Sequence, residues 1–182
     1  MPKILTEATS LDWLQAAAAT VPADQSCVEV GVFQGGSLQR IAVGARKGSN
    51  PPVYGVDQWG SPGMYLDRPH LARAYGKENQ RIAARSAPTA ALVRATSREA
   101  AQRWDGPPIG LLHIDADHTY EAAMGDFRAW QPHLAPGAHV AFDDYWAGRF
   151  EGVIKAVDEL VADGTLTDFE RIGHHFAVTR LA

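Results

Sequence analysis

The chain has 182 residues, 46% hydrophobic and 21% charged, with a formal net charge of −4, which fits one globular domain with a sizeable core and excludes a disordered chain. The mild charge and the lack of any Lys/Arg run exclude nucleic acid and anionic membrane as expected partners. No apolar run approaches the roughly 20 residues that span a bilayer, and MPKILTEATS has no apolar core of signal-peptide length, so a cytoplasmic protein is expected.

In chain order, Leu11, Trp13, Leu14, Ala17 and Ala18 predict a short helix over 10–19, with Thr9 or Ser10 as N-cap and Pro22 as stop. Cys27-Val28-Glu29-Val30 reads as a central parallel strand. It holds the only cysteine, so no intrachain disulfide can form and the thiol is expected to be buried. A glycine loop, Gly31 to Ser37, leads into a helix with Leu38, Ile41, Ala42 and Ala45 on one face, ending near Gly48. Glycines there let a ligand approach the backbone, and the helix N-terminus offers free amides. Pro51-Pro52 precedes a second strand, Val53 to Asp57, whose terminal acid suits ribose hydroxyls in a doubly wound fold. Residues 59–69, with Trp59, Met64 and Tyr65 among glycines and prolines, form a candidate lid or substrate wall, or pack against their own domain. A helix over 70–85 is weakly amphipathic. Ala90 to Arg94 is a third strand and Ser97 to Trp104 a short helix.

The stretch from Ile109 to Tyr145 organises the rest. Ile109 to Asp115 and His139 to Asp144 are apolar runs ending in acid. Between them Tyr120, Met124, Phe127, Trp130 and Leu134 recur at helical spacing, with Pro136 and Gly137 expected to end the helix. A crossover helix makes the strands parallel and puts their C-terminal ends on one sheet edge. On adjacent strands about 4.8 Å apart, Asp115, Asp143 and Asp144 can converge. Neighbouring strand residues face opposite sides, which separates Asp143 from Asp144 if the strand runs through both. Val153, Ile154, Val157, Leu160 and Val161 predict a helix over 151–163, and 168–172 with 175–180 a hairpin around Gly173. The fold class is therefore α/β: a Rossmann-like doubly wound sheet, mostly parallel with an antiparallel C-terminal strand, in one domain over 1–182.

The loop after the first strand matches neither a Walker phosphate loop nor GxGxxG. An acid beside it, Glu29, repels phosphate and accepts hydrogen bonds from hydroxyl and amine groups, which suits S-adenosylmethionine. Glu29-Val30-Gly31 through Gly35, with Asp57, resembles the first motifs of class I S-adenosylmethionine-dependent methyltransferases. Ile114-Asp115-Ala116-Asp117-His118-Thr119-Tyr120-Glu121, Leu134-Ala135-Pro136-Gly137 and Phe142-Asp143-Asp144-Tyr145 resemble the small-molecule O-methyltransferase branch that includes the macrocin and mycinamicin sugar enzymes and cephalosporin-biosynthesis proteins.

The resemblance implies that Asp115, Asp143 and Asp144 hold a divalent cation, Mg²⁺ by expectation, and that His118 is the general base. It implies that Glu29, Gly31, Gly35, Ser37, Asp57, Gln58, Ser97 and Asp115 contact S-adenosylmethionine. Three clustered carboxylates repel unless neutralised, and oxygen-only ligands suit Mg²⁺ or Ca²⁺. The same dication would keep His118 neutral. Bland readings stand beside these: Asp117 or Thr119 as a helix N-cap, His113 as a structural strand residue, and His174 and His175 as divergent neighbours. The expected partner is a small hydroxylated acceptor, with a homo-oligomer open. A non-catalytic binding protein and a metal-dependent hydrolase or hydroxylase are the competing functions.

Overall fold

The computed structural model describes residue 2, residues 5–60 and residues 69–182, with 69–74 by backbone alone. The loop expected at 59–69 falls largely outside these residues. Seven strands form one sheet: β1 (Ser26–Val30), β2 (Val53–Asp57), β3 (Ala91–Arg94), β4 (Ile109–Ile114), β5 (Leu134–Phe142), β6 (Leu166–Ile172) and β7 (Phe176–Leu181), in the order β3-β2-β1-β4-β5-β7-β6. Strands β1 to β5 are parallel, and β7 runs antiparallel to both β5 and β6. The central strands β1 and β4 are buried at every position, as a parallel sheet covered on both faces requires. The edge strand β6 exposes Thr167 to Arg171 instead, and its charged residues discourage pairing with another edge.

One face is covered by α4 (Ser97–Gln102), α5 (Tyr120–Trp130) and α6 (Glu151–Ala162), the other by α1 (Ala8–Thr20), α2 (Gly36–Lys47) and α3 (Pro69–Ser86). Phe127, Trp130, Phe142 and Leu112 are fully buried in the first layer. Burial of Phe127 alone stabilises the fold by about 1.5–3 kcal/mol. In the second layer α1 and α2 meet at the backbone, because a Cβ on Gly44 would stand 2.1 Å from the carbonyl oxygen of Gln15.

Two boundaries differ from the sequence reading. Helix α5 stops at Trp130 and tightens into a 3₁₀ turn over Gln131–His133, so Pro136 and Gly137 lie inside β5 instead of ending a helix. Pro132 is the cause: it has no N–H for the next helical bond and its ring blocks the preceding turn. Helix α1 is capped by neither Thr9 nor Ser10; its N-cap is Glu7, without a side-chain cap bond. The Glu7 carboxylate is occupied elsewhere, accepting a hydrogen bond from the His174 amide at 2.9 Å and lying 3.6 Å from His175 Nε2. Cys27 is buried, and burial pushes its thiol up to about 12.

Candidate active site

Strand order reverses between β1 and β4, and a cavity of about 770 Å³ opens over the C-terminal ends of β1, β2 and β4. Open α/β sheets bind ligands at such a point. The loop after β1 forms its floor. Gly31 has φ +89°, and a Cβ there would lie 2.0 Å from the backbone oxygen of Asp115, so only glycine allows β1 and β4 to end side by side. Asp57, at the end of β2, holds the loop's shape: Oδ2 accepts from the Val32 and Phe33 amides at 3.0 and 2.8 Å, and Oδ1 from the Trp59 amide at 2.6 Å. A carboxylate offers about four lone-pair sites, so it keeps one for a ligand hydroxyl. Asp57 still lines the cavity.

Gly31, Asp57, Gln58, Ser97, Asp115 and His118 line this cavity, whereas Glu29, Gly35, Ser37, Asp143 and Asp144 do not. Gly35 is the left-handed N-cap of α2, and Ser37, two residues on in its first turn, is buried. Ser97 accepts a hydrogen bond from Trp130 Nε1 at 3.0 Å. Sequence reasoning missed Phe33, Thr96, Arg98, Asp126 and Phe150, which complete the wall. One of these was legible: Thr96-Ser97-Arg98-Glu99 is a capping-box string, and Thr96 and Glu99 cap α4 reciprocally. Asp126 is raised by burial and bonds Ser97; nothing in the periodicity of α5 marks it as facing a cavity.

The three acids expected to form one set are divided between two. Among the described residues, His113, Asp115 and Asp143 can each offer a ligand atom within 4.8 Å of the others, and so can Asp115, His118 and Asp144. Asp115 belongs to both. The split follows from strand alternation and from the left-handed turn at Asp144, φ +57°. Asp143 is buried, with Oδ1 accepting from the Asp144 amide and Oδ2 from the Thr6 hydroxyl, both at 2.9 Å.

Asp144 swings toward His118, whose Nε2 lies 2.7 Å from Asp144 Oδ2 and 4.0 Å from Asp115 Oδ1. The 2.7 Å approach is a close ion pair without hydrogen-bond alignment. Burial pushes the Asp115 carboxyl up to about 7, and the nearby Asp143 charge adds to this while His118 opposes it. The carboxylates of Asp115 and Asp144 push His118 up to about 10.

With these carboxylates uncompensated, the shift favours the imidazolium form of His118 at neutral pH, which has no lone pair to accept a proton. Its folded pKa stands above the ordinary value, so its contribution to stability is complete below about 6.5 and is lost as pH rises through about 10. Proton NMR titration of the His118 ring in EDTA is expected to show this high pKa. Asp144→Asn should bring it down by at least one unit; an unchanged titration would mean that the ion pair does not form.

Glu29 and His113 face each other on β1 and β4, both fully buried, with Glu29 Oε1 2.8 Å from His113 Nδ1. Glu29 is thus engaged inside the sheet instead of being presented to the cavity. Burial pulls His113 down, but the Glu29 hydrogen bond and the charges of Glu29, Asp115 and Asp143 hold it above its ordinary value. Thr119, not Asp117, caps α5, accepting from the Ala122 amide, while Asp117 accepts from Thr119 N. His175 stacks on Trp146 at 3.8 Å, and neither it nor His174 joins a metal group among the described residues.

A methyltransferase-domain family model matches residues 28–145, from β1 through the end of β5. The chain belongs to this family, whose members are S-adenosylmethionine-dependent methyltransferases. A curated relative, an uncharacterised protein of Acanthamoeba polyphaga mimivirus, is 38% identical over 56 residues, covering 30% of this chain and a quarter (25%) of the relative's own length. The O-methyltransferase from Bacillus cereus in complex with SAH superposes with a TM-score of 0.68 at 14% identity, over 97% of this chain and 82% of that one. A TDP-rhamnose 3'-O-methyltransferase of calicheamicin biosynthesis gives 0.63 at 23% identity, over 94% and 76%. These likenesses establish the fold. Among the described residues no helix is long and apolar enough to cross a membrane.

Proposed function

We propose that residues 1–182 form one methyltransferase domain that binds S-adenosylmethionine in the cavity over β1, β2 and β4. It would transfer the methyl group to a hydroxyl of a small molecule with help from a divalent cation. The observation that carries this reading is the placement of His118 and Asp115 together on the wall of a cavity whose floor is the Gly31 loop. Among the described residues, the cavity is lined by the four acids Asp57, Asp115, Asp117 and Asp126 against Arg98 and His118, an acidic balance that suits a cationic sulfonium ligand with donor groups and disfavours a pyrophosphate. The SAH-bound O-methyltransferase and the TDP-rhamnose 3'-O-methyltransferase that share the fold support the same cofactor and acceptor chemistry. So does the resemblance to the macrocin and mycinamicin branch.

When bound, S-adenosylmethionine supplies a methyl on a positively charged sulfur, and a divalent cation supplies charge that offsets the carboxylates. Carboxylate oxygens suit such a cation, and burial holds Asp115 and Asp143 above their ordinary range, so a cation beside them would offset the cost of ionising them there. The chain's own groups do the rest. Asp57 and the Gly31 loop hold the nucleoside end, and Phe150, packed 4.4 Å from the His118 ring centroid, keeps water from that side.

His118 Nε2 would accept the proton of the acceptor hydroxyl as that oxygen takes up the methyl group the cofactor supplies. His118 would serve once a cation at Asp115 offsets part of the negative charge that raises it, because its pKa would then fall. Alignment in such a site is worth up to roughly 7–11 kcal/mol.

Calorimetric titration of S-adenosylmethionine and S-adenosylhomocysteine, with Mg²⁺ or Mn²⁺ present and then with EDTA, tests the reading. Micromolar binding of both is expected. Binding without methyl transfer to any hydroxylated acceptor would leave a non-catalytic binding protein, and no binding at all would remove the cofactor assignment.

A further inference from the structure

We propose that the cation at the end of β4 is coordinated by His113 together with Asp115 and Asp143, and that Glu29 is the positioning residue that holds His113 for it. This rests on the cation-dependent reading above and deepens it, because a nitrogen ligand changes which metals the site takes.

His113 and Asp115 are two residues apart on and just beyond β4, so they project to one face. Asp143 follows β5 directly, and its amide donates to the Ile114 carbonyl at 3.0 Å, which sets it beside Asp115. Glu29 stands opposite His113 on the other side, in β1. A carboxylate only accepts hydrogen bonds, so the 2.8 Å contact fixes the proton on Nδ1 and turns Nε2 away from Glu29.

Nε2 is fully buried and has no hydrogen-bond partner. As an N–H it would be an unsatisfied donor and as a bare nitrogen an unsatisfied acceptor, and either is costly in a dry interior. A cation shared with two carboxylates resolves this, and a histidine whose second ring N–H is held by a carboxylate is the usual way proteins orient such a ligand. Asp143 is likewise pinned, by the Asp144 amide and the Thr6 hydroxyl, with a lone pair left on each oxygen.

The rival group, Asp115–His118–Asp144, already places His118 Nε2 2.7 Å from Asp144, and that ring is a third exposed. An imidazole among the ligands disfavours Mg²⁺, which prefers oxygen and near-octahedral geometry, and favours Mn²⁺, Fe²⁺, Co²⁺ or Zn²⁺. The same set gives Glu29 a function that does not require it to reach the cavity.

Mn²⁺ alone is the probe. Protein stripped with EDTA is titrated with Mn²⁺, the free ion is followed by electron paramagnetic resonance, and the bound ion is examined by electron spin-echo modulation, which detects a coordinated imidazole nitrogen. One tightly bound Mn²⁺ with nitrogen modulation is expected. His113→Gln should abolish the modulation, His118→Gln should keep it, and Glu29→Gln should weaken binding about 10- to 100-fold with His113 still present. Mg²⁺ should compete poorly.

No Mn²⁺ binding at millimolar concentration overturns both this assignment and the cation-dependent reading. Binding without nitrogen modulation, or modulation lost in His118→Gln, overturns the His113 ligand and leaves the cation-dependent reading standing. If His113→Gln does not fold, the His118→Gln spectrum decides, since only these two histidines belong to metal groups among the described residues.

Discussion

Gly31→Ala is expected to cost at least about 3 kcal/mol of folding stability and to abolish binding of S-adenosylmethionine. Two effects add. At φ +89° a side chain is strained by about 1–3 kcal/mol. The new Cβ would also stand 2.0 Å from the Asp115 carbonyl oxygen, 2.4 Å from its carbon and 2.8 Å from Ala116 Cα. All three are backbone atoms of the β4 terminus, so none can rotate aside. β1 and β4 must then part at the point where the cavity floor and Asp115 meet. Urea unfolding of the variant measures the first effect and calorimetry the second. A midpoint within about 0.5 kcal/mol of the parent would mean that the two strand ends are not in contact.

Asp115→Ala is expected to lower turnover by at least about 100-fold with any acceptor the parent methylates, while leaving the fold intact. The stability result is the more diagnostic half. Burial holds the Asp115 carboxyl at about 7, well above its ordinary range, so folding favours its protonated form. Its penalty is therefore absent below about pH 4 and complete above about pH 7. In EDTA, the variant should gain stability relative to the parent as pH rises from 4 to 8. Divalent cation should stabilise the parent and not the variant. A variant less stable than the parent at pH 8 in EDTA would show that the carboxylate is already compensated within the protein.

Most of the architecture is legible because apolar periodicity and strand-ending acids survive as local patterns. β2 runs from Val53 to Asp57 as read, and α6 begins at Glu151 and ends one residue short of the expected Asp163. What was not legible depends on register. Glu29 and His113 are 84 positions apart, and nothing local says that they stand opposite each other. Read singly, Glu29 is taken as a cofactor contact and His113 as a structural strand residue, and neither reading reveals that the two are paired. Asp57 is a related case. Its position at a strand end was clear, but the three loop amides it holds come from the chain's path in space. At α5 the signal was present and overshadowed: Pro132 ends the helix, yet the Pro136-Gly137 pair is the more familiar stop.

The N-terminal segment has a further consequence for how the molecule is made. Thr6 donates to Asp143, 137 positions away, and Glu7 accepts from the His174 amide, 167 positions away. Both partners are synthesised long after residues 6 and 7. Residues 6 and 7 must therefore wait while the 137 and 167 positions that separate them from these partners are synthesised, and the contact with His174 closes only after the β6–β7 turn exists. Such distant closure is entropically expensive and slow. The acid at the centre of the proposed chemistry thus takes the Thr6 hydrogen bond across most of the sheet's sequence, so a nascent chain halted before β5 carries β4 and Asp115 but not the finished site.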